Sequence, residues 1–138
     1  MRLLSVRPST LLLSVCLSLT VLAANAAGVT GTASIGPDMA ANAAAEDTVF
    51  IFARASQGPR MPLAMVRTQV KNLPMEFSLD DSQAMMPAMT LSKFASVDIV
   101  VRVSKSGQAM PASGDLEGVV KGVGNDSQGV EVVVDHQL

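Results

Sequence analysis

Nine methionines in 138 residues are the chain's most distinctive chemical resource, and three of them precede proline. Met61-Pro62, Met86-Pro87 and Met110-Pro111 recur at intervals of about 25 residues, the span of two short strands with their turns. In an up-and-down sandwich, connections at that interval leave from the same end. The spacing therefore predicts that Met61, Met86 and Met110 gather at one pole, with Met85 and Met89 beside them. Proline fixes φ in such a loop and needs no ladder donor. Three chemistries suit the cluster. Methionine fills irregular gaps under loops, and it also forms adaptable apolar surfaces that accept varied peptides. Its thioether is a soft ligand, so Met61, Met86 and Met110 are also the candidate set for Cu(I).

Other reactive groups are scarce. The chain has one Cys, one His and no Trp or Tyr. One Cys excludes an intramolecular disulfide, a CxxC redox pair and a thiolate zinc site. His136 stands near the C-terminus, where a frayed tail is expected, so no serine has a convincing base partner. Asp80 and Asp81 are adjacent, and neighbours on a strand point to opposite faces, so a turn or strand end is expected there rather than a shared proton. No glycine-rich phosphate loop joins a strand to a helix. These counts argue against an enzyme and against any cofactor. A net charge of −2 with 3% aromatic residues argues against nucleic acid as a partner.

The elements that must position these residues begin after an export signal. Arg2 and Arg7 form a basic start, Leu11 to Ala24 is an apolar run, and Ala24-Asn25-Ala26 is a small-x-small cleavage site. The run is shorter than the about 20 apolar residues of a membrane span. Residues 1–26 are thus expected to be a signal-peptide helix that takes Cys16 with it. Residues 27–138 are expected to form one exported, periplasmic domain with no stable membrane anchor. Period-two patterns follow. Val29 to Ile35 alternates, and Asp47 to Arg54 is apolar on both faces and suits a central strand. Leu63 to Val70 alternates, as do Met75, Phe77 and Leu79. Val97, Ile99, Val101 and Val103 follow, with Asp98 and Arg102 on the opposite face. Leu116 to Val120 is weaker, and Val130, Val132 and Val134 close the chain. Pro37 to Ala45 offers one or two helical turns. About seven short strands separated by turn residues predict an all-β sandwich of immunoglobulin-like architecture.

Seven phrases occurring in order resemble a known family. They are Val29 to Ile35, Asp47 to Ala55, Gly58 to Ala64, Phe77 to Ser82, Met86 to Met89, Arg102 to Gly107 and Gly114 to Gly118. Together they resemble the C-terminal periplasmic, immunoglobulin-like domain of the cytochrome c-type biogenesis factors CycH, also called CcmI. The resemblance implies a non-catalytic chaperone or adaptor module for cytochrome c maturation. Its expected partners are apocytochrome c or a protein of the haem-ligation complex. Beyond the signal segment the sequence shows neither the membrane helices nor the repeat segment of that family, so a free-standing relative that binds another periplasmic protein or peptide is the alternative expectation. The expected partner surface is a strand edge or the Met-Pro pole, comprising Arg60, Met61, Pro62, Met86, Pro87, Met89 and Met110. Within it, two readings of Arg60 stand side by side: a solvated turn arginine, or a group that orients a partner carboxylate through paired hydrogen bonds.

Overall fold

The computed structural model describes residues 28–138, so the expected signal segment lies outside the described residues. The elements follow in order: β1 (Gly28–Ile35), α1 (Pro37–Ala40), β2 (Thr48–Ala55), β3 (Pro62–Gln69) and β4 (Met75–Asp80) come first. β5 (Ser96–Ser104), β6 (Leu116–Gly124), β7 (Val130–Val134) and β8 (His136–Gln137) complete the chain. They form two sheets, one ordered β4-β1-β7 and the other β3-β2-β5-β6-β8. This is the all-β, immunoglobulin-like sandwich expected from the alternating pattern.

The connections are not up-and-down. β1 pairs antiparallel with β4 but parallel with β7, and the chain repeatedly passes from one sheet to the other. A parallel pair cannot be joined by a tight hairpin, and the β1–β7 pairing accordingly spans all the intervening strands.

The core is aliphatic and sits between the sheets. Val49, Ile51 and Ala53 of β2 and Val97, Ile99, Val101 and Val103 of β5 supply one wall. Val29 and Ala33 of β1, Phe77 and Leu79 of β4, and Val132 and Val134 of β7 supply the other. Each such Val, Leu, Ile or Phe side chain, fully buried, contributes about 1.5–3 kcal/mol relative to exposure. β6 reads weakly in sequence because of its glycines, and one of them is obligatory. A Cβ on Gly118 would collide with the Val133 carbonyl of β7, so only glycine lets the two sheets approach there.

The C-terminus is tied down, contrary to the frayed tail expected for His136. β8 pairs with β6, placing His136 opposite Glu117. The Leu138 amide donates to the Asp115 carbonyl at 2.8 Å, and the Gly114 amide donates to the Leu138 carbonyl at 2.9 Å. Asp80 and Asp81 form the strand end predicted for them. The Asp80 carboxylate caps the turn Asp81–Gln83 while the Gln83 side chain caps back onto the Asp80 amide.

Candidate functional site

The five-stranded sheet has a second apolar face, directed away from the core. Because side chains alternate, Phe50 and Phe52 of β2 point opposite to Val49 and Ile51. They pack with Val100 of β5 and with Met65 and Val119. This explains why β2 is apolar at consecutive positions. It has two hydrophobic faces to cover, one inside the sandwich and one outside it.

A buried charge pair organises the outer face. Arg102 and Glu117 lie opposite each other on β5 and β6 and are only 6% and 8% exposed. Arg102 Nε and Nη2 donate to Glu117 Oε2 at 2.9 and 2.8 Å. The guanidinium also lies 5.2 Å from the centre of the Phe52 ring, a cation–π distance. Its remaining nitrogen, Nη1, donates to the Ala109 carbonyl at 2.9 Å. Charge, ring and loop backbone thus use every side of one arginine, as burial of a cation requires.

That last bond places the β5–β6 connection. Thr48 pairs with Ser104, so β5 ends at the start of β2, away from the β2–β3 turn. Met61 and Met110 therefore leave from opposite ends of the sheet, not from one pole. The expectation failed because only one strand, β5, lies between Met86 and Met110, whereas two, β3 and β4, lie between Met61 and Met86. They nevertheless approach each other, because the connection folds back over the outer face. Ser104 Oγ donates to the Gln108 carbonyl at 2.8 Å. Buried Asp115 accepts from the amides of Lys105 and Ala112, both at 3.0 Å. At the root of the connection, Lys105 Nζ pairs with the Asp47 carboxylate at 2.6 Å. Partial burial pushes the Asp47 carboxyl up, but it is outweighed by hydrogen bonds from Lys105 and the Ala44 amide and by the Lys105 charge. The carboxyl is held below its ordinary value of 3.8.

Between this folded-back connection and the β2–β3 turn runs a groove of about 530 Å³. Phe52, Met65 and the stem of Arg102 line it from the strands; Arg60, Met61 and Pro62 line it from the turn; Met85, Ala109, Met110 and Pro111 line it from the longer connections. Met61, Met85 and Met110 are 48%, 60% and 75% exposed, so their thioethers are available to a partner. Among the described residues, no carboxylate lines the groove.

Of the residues singled out in the sequence, Arg60, Met61, Pro62 and Met110 thus share one groove. Met86, Pro87 and Met89 do not line it. Met86 and Met89 pair across a tight turn, with the Met89 amide donating to the Met86 carbonyl at 3.1 Å, and Met89 packs against the core. Met85 occupies the place expected for Met86. Adjacent residues point apart, and the sequence alone offered no means of choosing between them. Phe52 and Arg102 were also missed as groove residues, since their only sequence signal was the doubly apolar β2 and an arginine within an apolar strand. Among the described residues, no group of three His, Cys, Asp or Glu side chains could hold a metal ion. No helix among them is long and apolar enough to cross a membrane.

The comparisons with known proteins bear on this whole domain. The family model described as "Cytochrome c-type biogenesis protein H Ig-like domain" matches residues 29–135. Cytochrome c-type biogenesis protein CycH of Pseudomonas aeruginosa is 49% identical over 87 residues. That alignment covers 62% of this chain and 21% of the relative, so the chain spans about a fifth of the length of that protein. No solved structure matches the chain. With the family model covering every strand from β1 to β7 and the whole groove, the chain belongs to the family of immunoglobulin-like domains of cytochrome c-type biogenesis protein H.

Proposed function

We propose that this domain is a non-catalytic holding module of cytochrome c maturation that binds an extended polypeptide segment in the groove on its outer sheet face. The polypeptide is apocytochrome c or a protein of the haem-ligation machinery, and the setting is the periplasm. Family membership supports the process. The observation that carries the reading is the groove itself, where three exposed methionines surround an aromatic floor on a face the fold does not need for its core. Thioether side chains are flexible and polarizable, so they adapt to the differing side chains of an unfolded segment.

The test is fluorescence anisotropy of labelled, haem-free cytochrome c polypeptide with the full chain. Met61→Ser combined with Met110→Ser is expected to weaken binding about tenfold, equivalent to about 1.4 kcal/mol. Met86→Ser, outside the groove, is expected to leave it unchanged. Undiminished binding by a folded double variant would remove the groove from the mechanism. A second reading, Cu(I) held by thioethers, now rests on Met61, Met85 and Met110, because they share the groove and Met86 does not. Anaerobic competition against a Cu(I) chelator decides it. No competition at micromolar protein eliminates copper.

A further inference from the structure

The groove does not end in apolar surface. Arg54 and Arg60 line it on one side, and both also line a second recess of about 370 Å³ together with Ser56, Asp98 and Lys121. The two depressions are therefore contiguous, one walled by methionine and phenylalanine and the other by three cations. Asp98 supplies the recess's carboxylate among the described residues, and it is already engaged. It accepts from Ser56 Oγ at 2.8 Å and the Gly122 amide at 3.1 Å, and it lies 3.6 Å from Arg54 Nε. Arg60 and Lys121 make no ion pair among the described residues. Two unengaged cations at the mouth of an apolar trough stand out on a chain whose net charge is negative.

We infer that the groove selects peptide segments in which acidic side chains adjoin a run of large apolar ones. The apolar side chains lie along Phe52, Met61 and Met110, and the carboxylates reach Arg60 and Lys121. This rests on the polypeptide-holding reading above and adds a charge requirement to it. Arginine suits the role because its planar fork takes a carboxylate in two parallel hydrogen bonds. The carboxylates are those of side chains within the segment, so blocking the peptide's C-terminus leaves recognition intact.

The test uses synthetic fluorescein-labelled peptides carrying a leucine and methionine run followed by glutamates, glutamines or lysines, each with an amidated C-terminus. Binding to the full chain is followed by anisotropy at low and high salt. The glutamate peptide is expected to bind about fivefold more tightly than the glutamine peptide at low salt, in the range of solvent-exposed charge pairs, and the lysine peptide more weakly than either. The advantage should shrink at high salt and disappear in Arg60→Gln combined with Lys121→Gln. Equal affinity for the glutamate and glutamine peptides overturns the charge requirement while leaving the holding role in place. A glutamate advantage that survives in the folded double variant overturns the assignment to Arg60 and Lys121. Absence of binding by every peptide overturns both this inference and the reading beneath it.

Discussion

The two faces of the five-stranded sheet are built from the same strands, one residue out of phase, and they obey different rules. The inner face is dry and aliphatic, with Val49, Ile51, Ile99 and Val101 closed off by the opposite sheet. The outer face alternates aromatic rings with charge, placing Phe50 and Phe52 beside Arg67, Arg102 and Glu117. A sheet covers the first face, and a single connection covers part of the second. The inner face can be shaped only by packing, whereas the outer face leaves a groove whose chemistry can vary while the core stays intact. The proposed function thereby places recognition on the side of the sheet opposite the core.

The sharpest way to break this separation is to disrupt the buried charge pair of the outer face. Glu117→Ala would leave Arg102 as an uncompensated cation under the β5–β6 connection. The expected cost is about 3–5 kcal/mol, read from urea denaturation. Replacing both partners, Arg102→Met with Glu117→Leu, should recover most of that stability, because an apolar pair of similar volume has no desolvation penalty. It should not restore polypeptide binding, because the bond that holds Ala109 over the sheet is gone. If the double replacement binds normally, the arginine is not what positions the groove's wall.

On the inner face the corresponding change is Ile99→Ala, which leaves a cavity where β5 meets the opposite sheet. A loss of about 2–5 kcal/mol is expected, with no rescue by any polar partner. At temperatures where the variant stays folded, its groove should bind polypeptide as the parent does. A specific binding defect in folded Ile99→Ala would show that the two faces are coupled through β5.

The difference between the faces also marks what the sequence could disclose. Inner-face residues announce themselves through period two, as in Val97, Ile99, Val101 and Val103, because burial between sheets needs an apolar side chain at every second position. The strands and the fold class were legible for that reason. The outer face depends on register and on a loop returning from afar. Arg102 sits opposite Glu117 only once β5 and β6 pair, and Met110 approaches Met61 because Arg102, Ser104 and Asp115 hold the connection that carries it. The Met-Pro interval pointed to the right kind of cluster, but for a wrong reason and with Met86 in place of Met85. Interval arithmetic assumes two strands in every interval, and the long connections on either side of β5 leave only one between Met86 and Met110.

Acidification offers a milder probe of the connection that covers the outer face. The Asp47 carboxyl is depressed in the folded state by Lys105. Its contribution to stability is therefore fully present above the unfolded value near 3.8 and is lost as the pH falls through the lower, folded-state value. Asp47→Asn should flatten that part of the acid-denaturation curve and leave the slope at higher pH alone. Lys105→Met should flatten it similarly, since the same pair is removed from the other side. An unchanged acid limb in both variants would mean that the Asp47–Lys105 pair is not what fastens the root of the connection.

The smallest effect on stability is expected where the effect on binding is expected to be large. Met110 is 75% exposed, and its side chain covers no core residue that another group would have to replace. Met110→Ser should therefore change unfolding free energy by no more than about 0.5 kcal/mol, as for other surface substitutions. The contrast with Ile99→Ala is instructive because both changes remove a large apolar side chain at or near the same sheet. The decisive difference is exposure, since Ile99 is wholly buried. If Met110→Ser were to destabilise the fold by more than about 1 kcal/mol, the methionine would be acting as a gap filler under its own loop. The groove would then be packing left slightly open, and the case for a partner in it would weaken in proportion.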